Sequence, residues 1–518
     1  MKKTLIFLCL ATWAMHGCNP SEESTSPNII YVLADDMGIG DVAAFNADSK
    51  IPTPNLDRLA ASGMRFTDAH TSSAVCTPTR YGILTGRYNW RSTLKQGVLS
   101  GKSKALIPSD RTTVASLLKN QGYQTAFIGK WHLGWDWALK DPNDLGALAW
   151  NERDSENIDF TQPITNGPND LGFTYSYGHP ASLDIPPYVY MENDRVTQVP
   201  TKFTKSETKY GWWRDGPTSD DFIHEQVTPH FFEKSIQYIQ ESAAREAPFF
   251  LYLALPSPHT PILPTREWMG KSGVSEYADF VMQVDHHMGE LMAALEATGQ
   301  SSNTLVLFTA DNGCSPAAGI PEMQEQGHYP SHLYRGHKAD IYEGGHRVPF
   351  IASWPDKIAA NSVTDQLVVT TDLLSTVASI TGYELADHEG EDSFSMIPAF
   401  LGGTMTRPAA VHHSINGSFA LRQGDWKLIM APGSAGWSFP RPGRDQAALD
   451  SLPPLQLYNL AADPGETQNL QAENPEKVNE LRSLLVDCIK NGRSTPGEPQ
   501  TNDPIEGEWK QVEWMSEL

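Results

Sequence analysis

Three carboxylates and one amide stand out because each closes a short apolar run. Asp35 and Asp36 follow NIIYVLA, and Asp311 and Asn312 follow NTLVLFTA. These are hard oxygen donors, suited to calcium or magnesium and poorly suited to zinc, which prefers histidine or cysteine. Two other runs end in nitrogen groups: Lys130 and His132 after YQTAFIG, and His259 after PFFLYLALPSP. Each has a bland reading alone. A DD pair is commonly a turn or cap, DNG is a common turn, His259 lies between prolines as a loop histidine would, and Lys130 could be a solvated charge. Their joint occurrence after four separate runs favours chemistry over coincidence.

A fifth stretch, CTPTR at 76–80, holds a lone cysteine. Pro78 suits the first turn of a helix and Thr77 could cap it, which places Cys76 at a helix N-terminus where free N–H groups and the dipole favour an anion. Arg80, one turn on, would face the same point with a fork of donors. Two alternatives stay open at this stage: a buried structural cysteine, and a thiolate nucleophile with a histidine base.

The elements that must position these residues are legible as apolar runs alternating with helical periodicity, the pattern of an α/β fold with a largely parallel sheet. Residues 28–36, 123–134, 248–261, 303–313 and 348–355 read as buried strands, with VPFIASWP the last of them. Between them, 275–299 places Tyr277, Phe280, Val281, Val284, Met288, Leu291, Met292 and Leu295 on one helical face, a core-packing stripe. In open α/β sheets the site lies beyond the carboxyl ends of the strands, so four strands would deliver their polar residues to one edge. Residues 178–193, rich in proline and aromatics, read as an ordered loop over that site, with Ser182 and Asp184 as candidate contacts for substrate hydroxyls, a capped turn being the alternative reading that the sequence slightly favours. His346 and Arg347, in GGHRVP, are further substrate-binding candidates. A smaller C-terminal α+β domain is expected over 396–495, with strands at 419–421 and 426–429, after a catalytic domain of 28–395. An acidic, Pro-rich tail, 496–518, is packed at most by Trp509 and Trp514.

Residues 1–17 carry two lysines, an apolar run too short to span a bilayer and then small residues, a secretory signal pattern that predicts an exported protein. Cys18 follows directly and resembles a lipoprotein acceptor cysteine, with a polar tether over 18–27; Met15 and His16 depart from that signal, so a lipid anchor and plain secretion stand level. Processing would leave Cys18, Cys76, Cys314 and Cys488, no disulfide framework, although a Cys314–Cys488 bridge is possible. A net charge of -23 argues against nucleic acid and anionic lipid as partners. It also means that an anionic substrate would need a local cluster of cations or a metal.

Taken together, CTPTR with LTGR at 84–87, IIYVLADDMGIGD, GKWHLG, SPHTP, TADNG and KADIYEGGHRVPF resemble, in order, the motifs of the type I sulfatases of the alkaline phosphatase superfamily, from residue 28 to about residue 470. The resemblance implies an alkaline-phosphatase-like fold and oxidation of Cys76 by a maturation enzyme to Cα-formylglycine, whose hydrate is the nucleophile. It implies one calcium ion on Asp35, Asp36, Asp311 and Asn312, touched also by modified Cys76. Arg80 and Lys130 would hold the hydrate, His132 would be the base that breaks down the sulfated intermediate, His259 would protonate the leaving alcohol, and Lys338 would bind sulfate. With the leader, it implies an exported enzyme acting on sulfated carbohydrate. A phosphomonoesterase or phosphonate hydrolase of the same superfamily, or a non-catalytic carbohydrate-binding descendant, are the alternatives.

Overall fold

A computed structural model describes residues 26–144, 157–505 and 507–517. The expected leader and Cys18 lie outside the described residues. The large sheet has ten strands, in the order 362–364, 64–66, 350–353, 304–310, 28–35, 249–258, 124–130, 175–179, 191–192, 195–196. Its middle is parallel: Asn28–Asp35 pairs in parallel with Phe249–Pro258 on one side and Thr304–Ala310 on the other, and Gln124–Lys130 continues in the same sense. Side chains alternate between two buried faces, which is why these strands read as continuous apolar runs. Tyr31, Leu33, Tyr252 and Leu307 enter one core with Leu117, Leu118 and Val377. Ile30, Val32, Leu251 and Phe308 enter the other, with Phe280, Val284, Met288 and Leu291 of the helix Glu276–Ala297. Ser275 caps that helix, its side chain accepting from the N–H of Ala278 at 3.1 Å.

Three sequence expectations change. Phe350–Ser353 is a buried strand but runs antiparallel to Thr304–Ala310. The stretch expected as loop, 178–193, starts inside a strand, Tyr175–His179, parallel to Gln124–Lys130, and its end forms the strand Met191–Glu192. Cys314 and Cys488 are both free and sit in different cores, so no bridge joins them.

The smaller sheet is an antiparallel meander of Ala410–His413, Phe419–Gln423, Trp426–Ile429 and Gln456–Asn459. Helix Pro475–Lys490 lays Val478, Leu481, Leu485 and Ile489 on it, and Tyr88 and Trp90 join the same core from the other domain. Nearby, Arg91 is fully buried and bonds Asp392 through Nε at 2.7 Å and a terminal nitrogen at 2.9 Å. The tail is more ordered than its composition suggests: Trp509 packs near Trp90 and Phe419, and Arg87 donates to the Thr501 carbonyl at 2.9 Å and Asp503 at 3.1 Å.

Candidate active site

Strand register brings the site together. Ala34 pairs with Ala310, Asp35 with Pro258 and Gly129 with Ala254, so the residues that follow emerge at one sheet edge. Gly129 is required there: its φ is 128°, and a Cβ would lie 1.9 Å from the Ala254 carbonyl oxygen. Asp36 turns sharply out of its strand with φ 66°, its N–H facing Asp311 Oδ1 at 3.3 Å, and Asn312 donates to Asp36 Oδ1 at 2.6 Å. Cys76 is the first residue of helix Cys76–Thr85, as expected, with its Sγ 3.7 Å from Asp35 Oδ1. Thr77 does not cap that helix. Its hydroxyl donates instead to the His132 carbonyl at 2.9 Å, tying the helix start to the loop after Lys130.

Charges are dense and buried. Arg80 grips Asp311 Oδ2 through Nε at 3.0 Å and a terminal nitrogen at 2.8 Å, reaches Asp35 at 3.3 Å and donates to the Lys130 carbonyl at 2.9 Å. Lys130 Nζ pairs with Asp35, and Lys338 Nζ with Asp36 Oδ1 at 2.6 Å. Burial alone would raise Asp35, but Lys130, His259, Arg80 and Lys338 together hold it well below the usual carboxylate range. Asp311 goes the other way, pushed up to about 6 by burial and by Asp35, because two carboxylates this close resist ionising together. Burial also pushes the Cys76 thiol up to about 12 against the pull of Lys130 and Lys338, so an ordinary thiolate nucleophile is disfavoured.

The histidines present distinct nitrogens. His132 donates Nε2–H to the Leu99 carbonyl at 2.8 Å, which leaves Nδ1 as a bare buried lone pair; burial, then Lys130 and Arg80, hold the ring well below its ordinary value, hence neutral. His259 donates Nδ1–H to the Thr260 carbonyl at 2.5 Å, so Nε2 faces the cluster, 3.6 Å from Asp36 Oδ2. Asp184 Oδ1 lies 3.9 Å from His259 and has no hydrogen-bond partner, while Oδ2 pairs with Arg214. Ser182 is buried in a turn whose carbonyl accepts from Ile185 N–H at 3.0 Å.

His346 and Arg347 are held in a different environment from the one expected of substrate contacts. His346 is fully buried against His70 and His412, and Arg347 pairs with Glu343 and Asp68. Both close the seam between the two sheets. Two residues of the site went unmarked in the sequence. Tyr277, read as core, sends its hydroxyl to the Asp36 carbonyl at 2.9 Å and to Asp41 Oδ2 at 2.5 Å. Arg214, in the otherwise polar strand Trp213–Thr218, anchors Asp184. Only the position of Tyr277 near the N-terminal end of its helical stripe could have hinted at the first, and nothing local signals the second.

The family model for Sulfatase matches residues 27–383. The chain is 32% identical to an N-acetylgalactosamine-6-O-sulfatase of Bacteroides thetaiotaomicron, covering 90% of this chain and 95% of that protein, and 32% identical to human arylsulfatase A, covering 89% and 87%. A solved Bacteroides thetaiotaomicron structure, from work on the metabolism of multiple glycosaminoglycans, superposes with a TM-score of 0.78 at 31% identity over 90% of this chain and 99% of that one. A matched model over most of the chain, relatives aligned nearly end to end and a shared fold agree: the chain belongs to the sulfatase family and is a sulfuric ester hydrolase.

Proposed function

We propose that this sulfatase is exported and removes sulfate from carbohydrate, with Cys76 converted to Cα-formylglycine beside one calcium ion. The observation that carries the proposal is the setting of Cys76. It is 2% exposed, begins a helix, stands against Asp35, and belongs with Asp35, Asp36 and His259 to a group whose donor atoms lie within 4.8 Å of one another. A thiol held protonated there is a poor nucleophile, whereas a hydrated aldehyde at the same position would supply an attacking oxygen. The donor set fits a hard cation: Asp36 Oδ2 and Asn312 Oδ1 are buried acceptors without hydrogen-bond partners among paired carboxylates. Asp35, Asp36, Asp311 and Asn312 would hold the ion, which when bound would neutralise charge on a sulfuryl oxygen.

The chain's own residues then divide the work. Arg80 and Lys130, buried and fixed by Asp311 and Asp35, hold negative charge at the nucleophilic position. Lys338 extends that cationic lining from the Asp36 side and binds sulfate. His132 takes a proton at its bare Nδ1. His259 gives one from Nε2 to the leaving alcohol, with Ser182 and Asp184 beside it as hydroxyl contacts. The names of the relatives support a sulfated sugar, so 6-O-sulfated N-acetylgalactosamine is the first substrate to test. Export rests on the leader pattern of residues 1–17, with a lipid on Cys18 as one form of it.

Mass spectrometry of the Cys76 peptide, after expression with a formylglycine-generating enzyme, is expected to show a loss of about 18 Da relative to the thiol. An active preparation whose Cys76 peptide carries only the thiol would overturn the proposal. Removing divalent metal should cut turnover and calcium restore it; restoration by zinc alone would contradict the oxygen-donor assignment.

A further inference from the structure

Behind the active site, where the two sheets meet, lies a second cluster of titratable side chains that hydrolysis of the ester does not use. His70, His346 and His412 are each fully buried, and one nitrogen from each lies within 4.8 Å of the others. They come from three separate elements: the short strand Ala69–His70, the helical turn Glu343–His346 and the strand Ala410–His413 of the small sheet. We propose that these three imidazoles form a second metal site, for one ion of the imidazole-preferring transition-metal class such as zinc, joining the two domains.

The outer hydrogen bonds carry the argument. A histidine that ligates a metal through one nitrogen normally donates the other N–H to a carboxylate or a backbone carbonyl, which fixes its tautomer and direction. All three rings have such an acceptor. His70 Nε2 is 2.8 Å from Asp68 Oδ1, His346 Nε2 is 3.2 Å from the Ile341 carbonyl, and His412 Nδ1 is 3.1 Å from the Thr71 carbonyl. With those protons placed, His70 Nδ1, His346 Nδ1 and His412 Nε2 are bare lone pairs; Arg422 at 3.0 Å from His70 Nε2 and Lys427 at 3.1 Å from His346 Nε2 can only donate, and compete for those two outer positions. His70 Nδ1 and His346 Nδ1 face each other at 3.0 Å, and His412 Nε2 is buried with no hydrogen-bond partner. Burial above all holds each ring below its ordinary value, so the three are neutral and ready to ligate at neutral pH.

A closed hydrogen-bond network without metal accounts for part of this arrangement. His346 Nδ1–H would donate to His70 Nδ1, with Lys427 Nζ donating to His346 Nε2 at 3.1 Å. That network leaves His412 Nε2 orphaned, and a buried unpaired nitrogen is costly. His346 and His412 stack with centroids 4.1 Å apart and planes 10° from parallel, which keeps the two rings within reach of one ion. Surrounding charge is balanced, with Asp68, Glu343 and Glu466 set against Arg347, Arg422 and Lys427. The donor set differs from that of the catalytic centre, nitrogen here and oxygen there, so one chain would sort two metals by ligand chemistry.

Because the cluster is closed, metal must be offered while the chain folds. The full chain, expressed in zinc-supplemented medium and dialysed against calcium buffer, is expected to retain about one zinc per chain by elemental analysis. His412→Gln and His346→Gln should each lose it. Asp311→Asn, at the oxygen site, and His287→Ala, in the partly exposed His286–His287–Glu290 group, should keep it. Cobalt in place of zinc should give the visible bands of a low-coordinate nitrogen site in the wild-type chain. Folded wild-type protein with no zinc and no cobalt bands would overturn the proposal whatever the variants do. So would zinc that survives in His412→Gln or disappears in His287→Ala.

Discussion

His259 is the most exposed nitrogen donor of the cluster, at 9% against 5% for Lys338 and 0% for Arg80 and Lys130. In the proposed role, His259 would meet the departing alcohol, and its loss should matter most when that alcohol is a poor leaving group. His259→Ala is expected to lose about 10²–10⁴-fold on a sulfated sugar and far less on nitrophenyl sulfate, whose phenolate departs unaided. Arg80→Ala should damage both, because it frees Asp35 and Asp311 in the dry interior as well as removing positive charge. The ratio of the two rates within one variant cancels differences in the amount of matured enzyme. Equal losses in His259→Ala would assign it to sulfate binding and leave Lys338 as the acid.

At the scale of elements, the turn after helix Cys76–Thr85 is held by one carboxylate. Asp392 accepts from Tyr88 N–H at 2.8 Å and twice from Arg91, all in the interior. Asp392→Ala strands the buried guanidinium and is expected to cost about 3–5 kcal/mol of stability, read by denaturant unfolding; Arg91→Leu with Asp392→Leu should recover much of it. A single variant as stable as the wild type would show that the guanidinium is held well enough by its other acceptors, the Cys488 carbonyl and Asn502 Oδ1, each at 3.1 Å. The same elements explain what the sequence could and could not tell. The runs that became Asn28–Asp35, Phe249–Pro258 and Thr304–Ala310 are apolar on both faces and therefore conspicuous, and their polar ends marked Asp35, Asp36, His259, Asp311 and Asn312 in advance. Tyr175–His179 alternates tyrosine with serine, glycine and histidine, so no apolar run announced it. The antiparallel sense of Phe350–Ser353 is a property of its neighbour, which an apolar run does not encode. The true partners of His346 and Thr77 are distant in sequence, His70 at 276 residues and the His132 carbonyl at 55, so local spacing points to a substrate contact and a cap instead.

The whole molecule stores many neutral histidines. Burial holds His224 down to about 4 and His413 to about 3, and lowers His70, His132, His179, His346 and His412 as well. In the unfolded chain each binds a proton near 6.5, so between that pH and its folded value the unfolded state holds more protons. The stability these groups contribute is complete above about 6.5 and is lost as pH falls, toward 4 for His224. Asp311 and Asp372, pushed up to about 6, and Glu466, pushed up to about 7, act in the opposite sense over the same range, so the test is made on one ring: His224→Gln should make the fall in melting temperature from pH 7 to 5 shallower than in the wild type, and an unchanged slope would show that this ring is charged in the folded state. Burial also has a consequence in time. The Cys76 helix is held at both ends by residues translated much later: before its start, Ala74 N–H bonds the His413 carbonyl at 2.9 Å and the Ala74 carbonyl accepts from Ala339 N–H at 2.8 Å, and beyond its far end Arg87 is clasped by Thr501 and Asp503. During synthesis several hundred residues must follow Cys76 before its lid exists. If Cys76 is modified as proposed, the modifying enzyme would have an interval set by the ribosome, and a chain that completed folding first would have its thiol sealed from that enzyme.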